Sequence, residues 1–371
     1  MCIRDSAPPG FTYDFHPARL DPESFPRALW RKCFLECLGE SSSELSRYND
    51  PQGDEGLRSA IRDYLERSRG VVCDPDQIVI CGGLQQGLEM IAHLLRGNHA
   101  AVAVENPGYH LPRAVFRNNA FTVVPVAVGP CGLDLDMLKA SGSTIVYVTP
   151  SHQLPMGVVM PVANRLKLIE WAGTGGNFII EDDYDSELRY HGKPIPSLQG
   201  LRPEGNIVYM GTFSKILSPA LRLSYLVLPP SLRAPYRHLF RDYFSTVSLL
   251  EQKTMRKFME QGHWERHVRR MRIMYKHKHD TLLQLIAHHF GSTATVVGQG
   301  AGLHVVVRLA GERPDEAEII RRAERQGINL FPFSAFSITG RSDSTYLLLG
   351  FGGMTAEALG EGVGLLSRLC R

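Results

Sequence analysis

Short apolar runs alternate with amphipathic, helix-period stretches through the middle of the chain. The runs fall at Ile78 to Cys81, Ala101 to Val104, Phe121 to Val126, Thr144 to Val148, Phe178 to Asp182, Ile207 to Gly211 and Leu223 to Leu228. Runs of this length, separated by helical patterns, predict seven strands of a mostly parallel sheet covered by helices, an α/β fold. From Pro235 to Phe290 the pattern turns helical, and a second, smaller α/β lobe is expected beyond it, with strands at Leu303 to Leu309 and Tyr346 to Phe351. The implied division is an N-terminal arm and small-lobe helix over 1–45, a large domain over 46–245, and interdomain helices with the small domain over 246–371. No internal repeat interrupts this order.

Composition narrows the setting. The chain has 371 residues, 43% hydrophobic and 21% charged, enough to bury a large core in two lobes. A formal charge of +3 gives no case for nucleic acid. Seven cysteines, an odd number without a Cys-x-x-Cys pair, point to reduced thiols and a cytoplasmic location. No apolar run is long enough to span a bilayer, and no signal-peptide core is visible. Cys33 and Cys37, one helical turn apart, read as a buried pair. His263 and His267 share that spacing without a third ligand, so they read as helix-face histidines and no metal is expected. The basic stretch Arg266 to His279 carries Val268, Met271 and Tyr275 at helical spacing, which suits a solvated helix face better than a DNA contact.

The candidate chemistry sits where apolar runs end. Lys215 closes Gly211-Thr212-Phe213-Ser214-Lys215, directly after a strand. An amine held inside the protein loses its proton and can form a Schiff base with an aldehyde, most commonly pyridoxal phosphate. A second run ends in Glu181-Asp182-Asp183-Tyr184-Asp185. Asp182 is the candidate anion for the pyridine nitrogen, although an acidic run after a strand also suits a metal or a solvated loop. A phosphate cradle is offered by Gly82-Gly83-Leu84-Gln85 between a strand and an amphipathic helix, where open amides point at an anion. Arg222, seven residues after Lys215, adds a cation for the same phosphate, and Tyr109 offers a ring to stack on the pyridine.

These motifs resemble fold-type I pyridoxal-phosphate enzymes of the aminotransferase class I/II group. They resemble still more closely the C-terminal domain of MocR-type regulators, which join a GntR-like winged helix-turn-helix to an aminotransferase-like domain. The closer likeness rests on Phe25-Pro-Arg-Ala-Leu-Trp30, Tyr48-Asn-Asp-Pro-Gln-Gly53, Thr149-Pro-Ser-His-Gln153, Glu181 to Glu187 and Gly262-His-Trp-Glu-Arg-His267. The resemblance implies Lys215 as the Schiff-base lysine, Asp182 as the pyridinium partner and Tyr184 near the ring's phenolic oxygen. It further implies Tyr109 as the stacking aromatic, a phosphate cup of Gly83, Leu84 and Gln85 with Arg222, and His152, Thr212 and Ser214 around the cofactor. Tyr48 matches a tyrosine that reaches the neighbouring subunit's site, which implies a homodimer.

Two departures separate the chain from ordinary aminotransferases. It reads His152-Gln153-Leu154-Pro155-Met156-Gly157 where they place Asn before Pro-Thr-Gly, and MocR-type domains share the Ser-His-Gln that precedes it. It also has Leu348, three residues before Phe351, where they commonly hold a substrate carboxylate with arginine. A leucine cannot make that charge-assisted bond. The first expectation is therefore a pyridoxal-phosphate-binding effector domain that senses an amino compound. The alternatives are a free-standing aminotransferase and a structural dimer without cofactor. A winged helix needs roughly sixty further residues upstream. The opening Met1-Cys-Ile-Arg-Asp-Ser6 matches nothing in the family pattern, so a shortened reading frame is expected and DNA binding is assigned to the missing part.

Overall fold

A computed structural model describes residues 10–40, 44–192, 195–298, 300–311, 313–338 and 344–370, which leaves the opening Met1 to Ser6 outside. The strands are β1 (Tyr13–Asp14), β2 (Ile78–Cys81), β3 (Ala101–Asn106), β4 (Thr122–Gly129), β5 (Gly132–Leu133), β6 (Ile145–Val148) and β7 (Phe178–Asp183). They continue with β8 (Ile207–Thr212), β9 (Ser224–Val227), β10 (Ala294–Val297), β11 (His304–Leu309), β12 (Ile328–Asn329) and β13 (Tyr346–Gly350).

The large sheet runs in the order β2-β9-β8-β7-β6-β3-β4-β5. Strands β8, β7, β6, β3 and β4 pair in parallel, whereas β9 runs antiparallel between β2 and β8. All seven expected strands are present. The eighth, β5, turns back on β4 over two residues, too short to carry any periodicity. Helices cover both faces, so the central strands are apolar on both sides. Adjacent residues of β7 accordingly enter different clusters: Ile180 packs with Val102, Val104 and Val208 on one face, and Ile179 with Ala103, Val146 and Ile207 on the other.

The smaller lobe is the antiparallel sheet β10-β11-β13, and β1 pairs in parallel with β12, which ties the N-terminal arm to this lobe. Strand β10 was not expected, because its half-buried edge position leaves no clean alternation. The 28-residue helix His263–Phe290 buries Trp264, Val268, Met271, Tyr275, Leu282 and Ile286 along one stripe. Arg269 and Arg272 lie on its exposed side, as the pattern of the basic stretch predicts. Cys33 and Cys37 are buried and free, and the other described cysteines are free as well. No described helix is long and apolar enough to cross a membrane.

Candidate active site

Parallel strands end on one edge of the sheet, and ligands of open α/β sheets collect outside those carboxyl ends. A cavity of about 190 Å³ opens there, lined in part by Leu84, Tyr109, Asp182, Tyr184, Thr212, Ser214, Lys215 and Arg222. Eight of the candidate positions therefore come together from β2, β3, β7, β8 and the turn before β9.

Lys215 sits on a braced loop. The Ser214 amide donates to Thr212 Oγ1 at 3.2 Å, and the Phe213 amide donates to the Leu223 carbonyl at 3.1 Å. Phe213 is buried against Trp264 and Tyr225, with ring centroids 5.1 and 5.5 Å away. His267 Nε2, at 2.9 Å from the Ile216 carbonyl, holds the residue after the lysine. Burial pushes the His267 pKa down, so its neutral ring donates from Nε2. The histidine that shares helical spacing with His263 thus braces the lysine loop.

Asp182 is buried at the end of β7 and accepts a short hydrogen bond from the Tyr147 hydroxyl. Its Oδ1 is buried and has no hydrogen-bond partner among the described residues. Buried carboxylate oxygens are seldom left in that state. Burial drives the Asp182 pKa up to about 7, opposed by the Tyr147 hydrogen bond and reinforced by Asp183 and Asp185. A cationic N–H donor in the cavity would satisfy the orphaned oxygen and favour the carboxylate. The adjacent carboxylates are engaged elsewhere. Asp183 accepts from Arg69 Nε and the Tyr209 hydroxyl, both at 2.6 Å, and Glu181 accepts the amides of Leu198 and Gln199 at 2.8 and 3.0 Å. The four carboxylates of the acidic run are therefore partnered separately, Asp185 with His152; Asp182 Oδ1 and Asp183 Oδ1 both lack a partner among the described residues, and of these two residues Asp182 lines the cavity.

Gly83, at φ +89°, caps the helix Leu84–Leu95. A Cβ on Gly83 would stand 2.0 Å from Arg222 Nη2, so the guanidinium lies directly on the glycine at the helix N-terminus. Open amides of the first turn and a fixed cation together form an anion cup. Gln85 bonds outward to Glu89 at 3.0 Å, so only its backbone belongs to that turn.

His152 does not line the cavity. It is buried behind Tyr184, whose hydroxyl donates to the His152 carbonyl at 3.0 Å, while Nδ1 lies 2.8 Å from Asp185 Oδ2. Tyr48 also stays outside: it is 82% exposed and stacks on Phe244 with centroids 4.3 Å apart.

Several lining or supporting groups were not anticipated: Tyr147, Glu105, Thr149, Asp185, His304, Phe331 and Phe336. Glu105 accepts from the Thr149 hydroxyl at 2.6 Å and from Gln153 Nε2 at 3.3 Å, which holds the Thr149–Gln153 loop against the cavity. Burial pushes its pKa up to about 7. Tyr147 was the legible one, as a lone phenol in the otherwise aliphatic strand Ile145–Val148. Thr149 and Asp185 stand in motifs already singled out, without a role given to them there, whereas His304, Phe331 and Phe336 come from distant segments that only tertiary folding brings together.

A family model for aminotransferase class I and II matches residues 26–364. The chain belongs to that family. Its fold is the fold-type I pyridoxal-phosphate-dependent one: the multiple substrate aminotransferase of Thermococcus profundus superposes with a TM-score of 0.86 at 25% identity, covering 96% of this chain and 90% of that one. The kynurenine aminotransferase of Pyrococcus horikoshii, solved with PMP, gives the same TM-score, identity and coverage. Among curated proteins, the chain is 39% identical over 350 residues to the uncharacterized HTH-type transcriptional regulator YhdI of Bacillus subtilis, covering 94% of this chain and 74% of that protein. It is 32% identical over 352 residues to the probable rhizopine catabolism regulatory protein MocR of Rhizobium meliloti, covering 95% and 71%. Family members of this kind use pyridoxal phosphate, and the open Asp182 oxygen, the lysine loop and the anion cup fit that group.

Proposed function

We propose that this chain is the pyridoxal-phosphate-binding effector domain of a MocR-type transcriptional regulator, responding to an amino compound. The observation that carries the reading is the open Asp182 oxygen in the same cavity as Lys215, in a chain that resembles regulators over most of their length. When bound, pyridoxal phosphate supplies an aldehyde for amines and a ring that accepts electrons from the attached carbon. Lys215 holds the aldehyde end, Asp182 binds the ring nitrogen and Tyr109 covers the ring face. Tyr184, whose hydroxyl is fixed on the His152 carbonyl, would be the residue on the side of the phenolic oxygen. The phosphate cup at Gly83, Leu84 and Gln85 uses the amides of Leu84 and Gln85, with Thr212, Ser214 and Arg222, while the Gly83 amide donates to the Cys81 carbonyl at 2.9 Å. Tyr48 lies on the exposed surface with Phe244 and is assigned to the partner's site in a homodimer, and DNA contact belongs to a segment upstream.

A free-standing transaminase is the second reading, favoured by the gathering of the cofactor residues in one cavity. In it Lys215, once released, takes and returns the proton of the substrate's α-carbon. The test is to incubate the loaded protein with amino donors and 2-oxo acids and follow both by mass spectrometry. The regulator reading expects a spectral response without multiple turnovers, and sustained conversion of donor to carbonyl product would replace it with the enzyme.

Gly83→Ala is expected to displace Arg222 and bend a strained position, weakening pyridoxal phosphate about tenfold or more, the worth of one charge-assisted bond. Pyridoxal without its phosphate should be nearly unaffected. Equal losses for both ligands, measured by fluorescence titration, would place the phosphate elsewhere.

A further inference from the structure

The cavity wall built by the smaller lobe and its approaches is apolar, and this bears on what the site accepts beside the cofactor. Leu111, Leu154, Leu303, Phe331 and Phe336 line it. Behind Phe331 and Phe336 lies Leu348, 1% exposed, in one cluster with Val306 and Phe333. Leu348 pairs with Val306 across the β11–β13 ladder and bridges to Phe331, so its buried side chain belongs to that apolar cluster.

The charges in the cavity point the same way. Among the described residues, Lys215 and Arg222 are the only lysine and arginine that line it, and Arg222 is held on Gly83 at the helix N-terminus. Arg113 lies close by, but its guanidinium donates to the Ala335 and Phe336 carbonyls at 2.7 and 3.4 Å. His304 donates from Nε2 to the Pro155 carbonyl at 3.0 Å, and burial together with His152 pushes its pKa down to about 3, so it enters as a neutral ring. The carboxyl groups in the lining are Asp182 and Asp185. Among the described residues that line the cavity, a ligand carboxylate would meet phenyl, leucyl and imidazole groups, the last from His16, His110 and His304, and no lysine or arginine beyond Lys215 and Arg222, while its amine would go to the cofactor's aldehyde. Phe331 already makes ring contacts with His16 and Phe336, at 5.0 and 5.5 Å between centroids, so an aromatic body has edges and faces to join.

We infer that the ligand of this site is a primary amine with an apolar, preferably aromatic, body and no carboxylate. The inference rests on the cofactor reading above and deepens it. Protein loaded with pyridoxal phosphate and freed of excess cofactor is titrated by calorimetry with 2-phenylethylamine and with L-phenylalanine, which differ only in the carboxylate. The amine is expected to bind at least about tenfold more tightly. L-phenylalanine binding equally well or better, or no heat from the amine, overturns the inference. Failure of the loading step to produce a visible cofactor band would instead defeat the cofactor reading itself, so the two failures are separable.

Discussion

Lys215→Ala is expected to abolish the visible band that the protein acquires with pyridoxal phosphate, while the far-ultraviolet circular dichroism and the thermal transition stay near those of the parent. The lysine is on a loop whose shape is set by others. Phe213 is packed between Trp264 and Tyr225, the Leu217 amide donates to the Phe213 carbonyl at 2.8 Å, and His267 holds Ile216. Removing the side chain beyond Cβ leaves these contacts intact, and Lys215 is only partly buried, so little packing is lost. The covalent attachment is lost outright. Cofactor held only by Asp182 and the phosphate cup should still bind, with the spectrum of free aldehyde. An unchanged visible band in the variant would mean that another lysine makes the attachment.

Asp182→Asn should weaken pyridoxal phosphate by about ten- to a hundredfold, because an ion pair to the ring nitrogen becomes a neutral hydrogen bond, a difference of roughly 1.5–3 kcal/mol. The same substitution has a second, independent signature in the cofactor-free protein. The aspartate carboxyl titrates near its ordinary value of 3.8 when unfolded and at about 7 when folded, because it is buried. Between those values the folded form keeps a proton that the unfolded form has released, so rising pH favours unfolding through this group. Asparagine has no such proton, and it can still accept from Tyr147. The melting temperature of the cofactor-free variant, taken relative to the parent, should therefore climb between pH 5 and pH 8. A difference that is flat across this range would show that Asp182 is not the perturbed group.

Much of the architecture was legible because central strands buried on both faces write themselves as continuous apolar runs, as in residues 178–180 and 207–210. The two-residue strands β1, β5 and β12 and the half-exposed β10 leave no such trace. In the cavity, residues at or within three positions of a strand's carboxyl end were readable, since that position places them on the ligand edge. This covers Lys215, Asp182, Tyr184 and Tyr109. His152 was read as a cofactor contact and stands one layer back, where it fixes Tyr184. Gln85 was read as part of the cup, but its side chain turns out to Glu89. The apolar wall was the least readable part. Phe331 and Phe336 lie more than a hundred residues beyond Lys215 in sequence, and an aromatic in a short irregular segment looks the same whether it fills a core or a ligand wall.

The central claim is that this cavity holds pyridoxal phosphate on Lys215, and borohydride reduction followed by peptide mapping tests it most directly. Reduction fixes a lysine-bound aldehyde cofactor permanently to its amine, and mass spectrometry of the digest then locates it. The account predicts the phosphopyridoxyl group on the peptide that carries Lys215 and on no other. Label spread over surface lysines, or a single label at a different lysine, would contradict it.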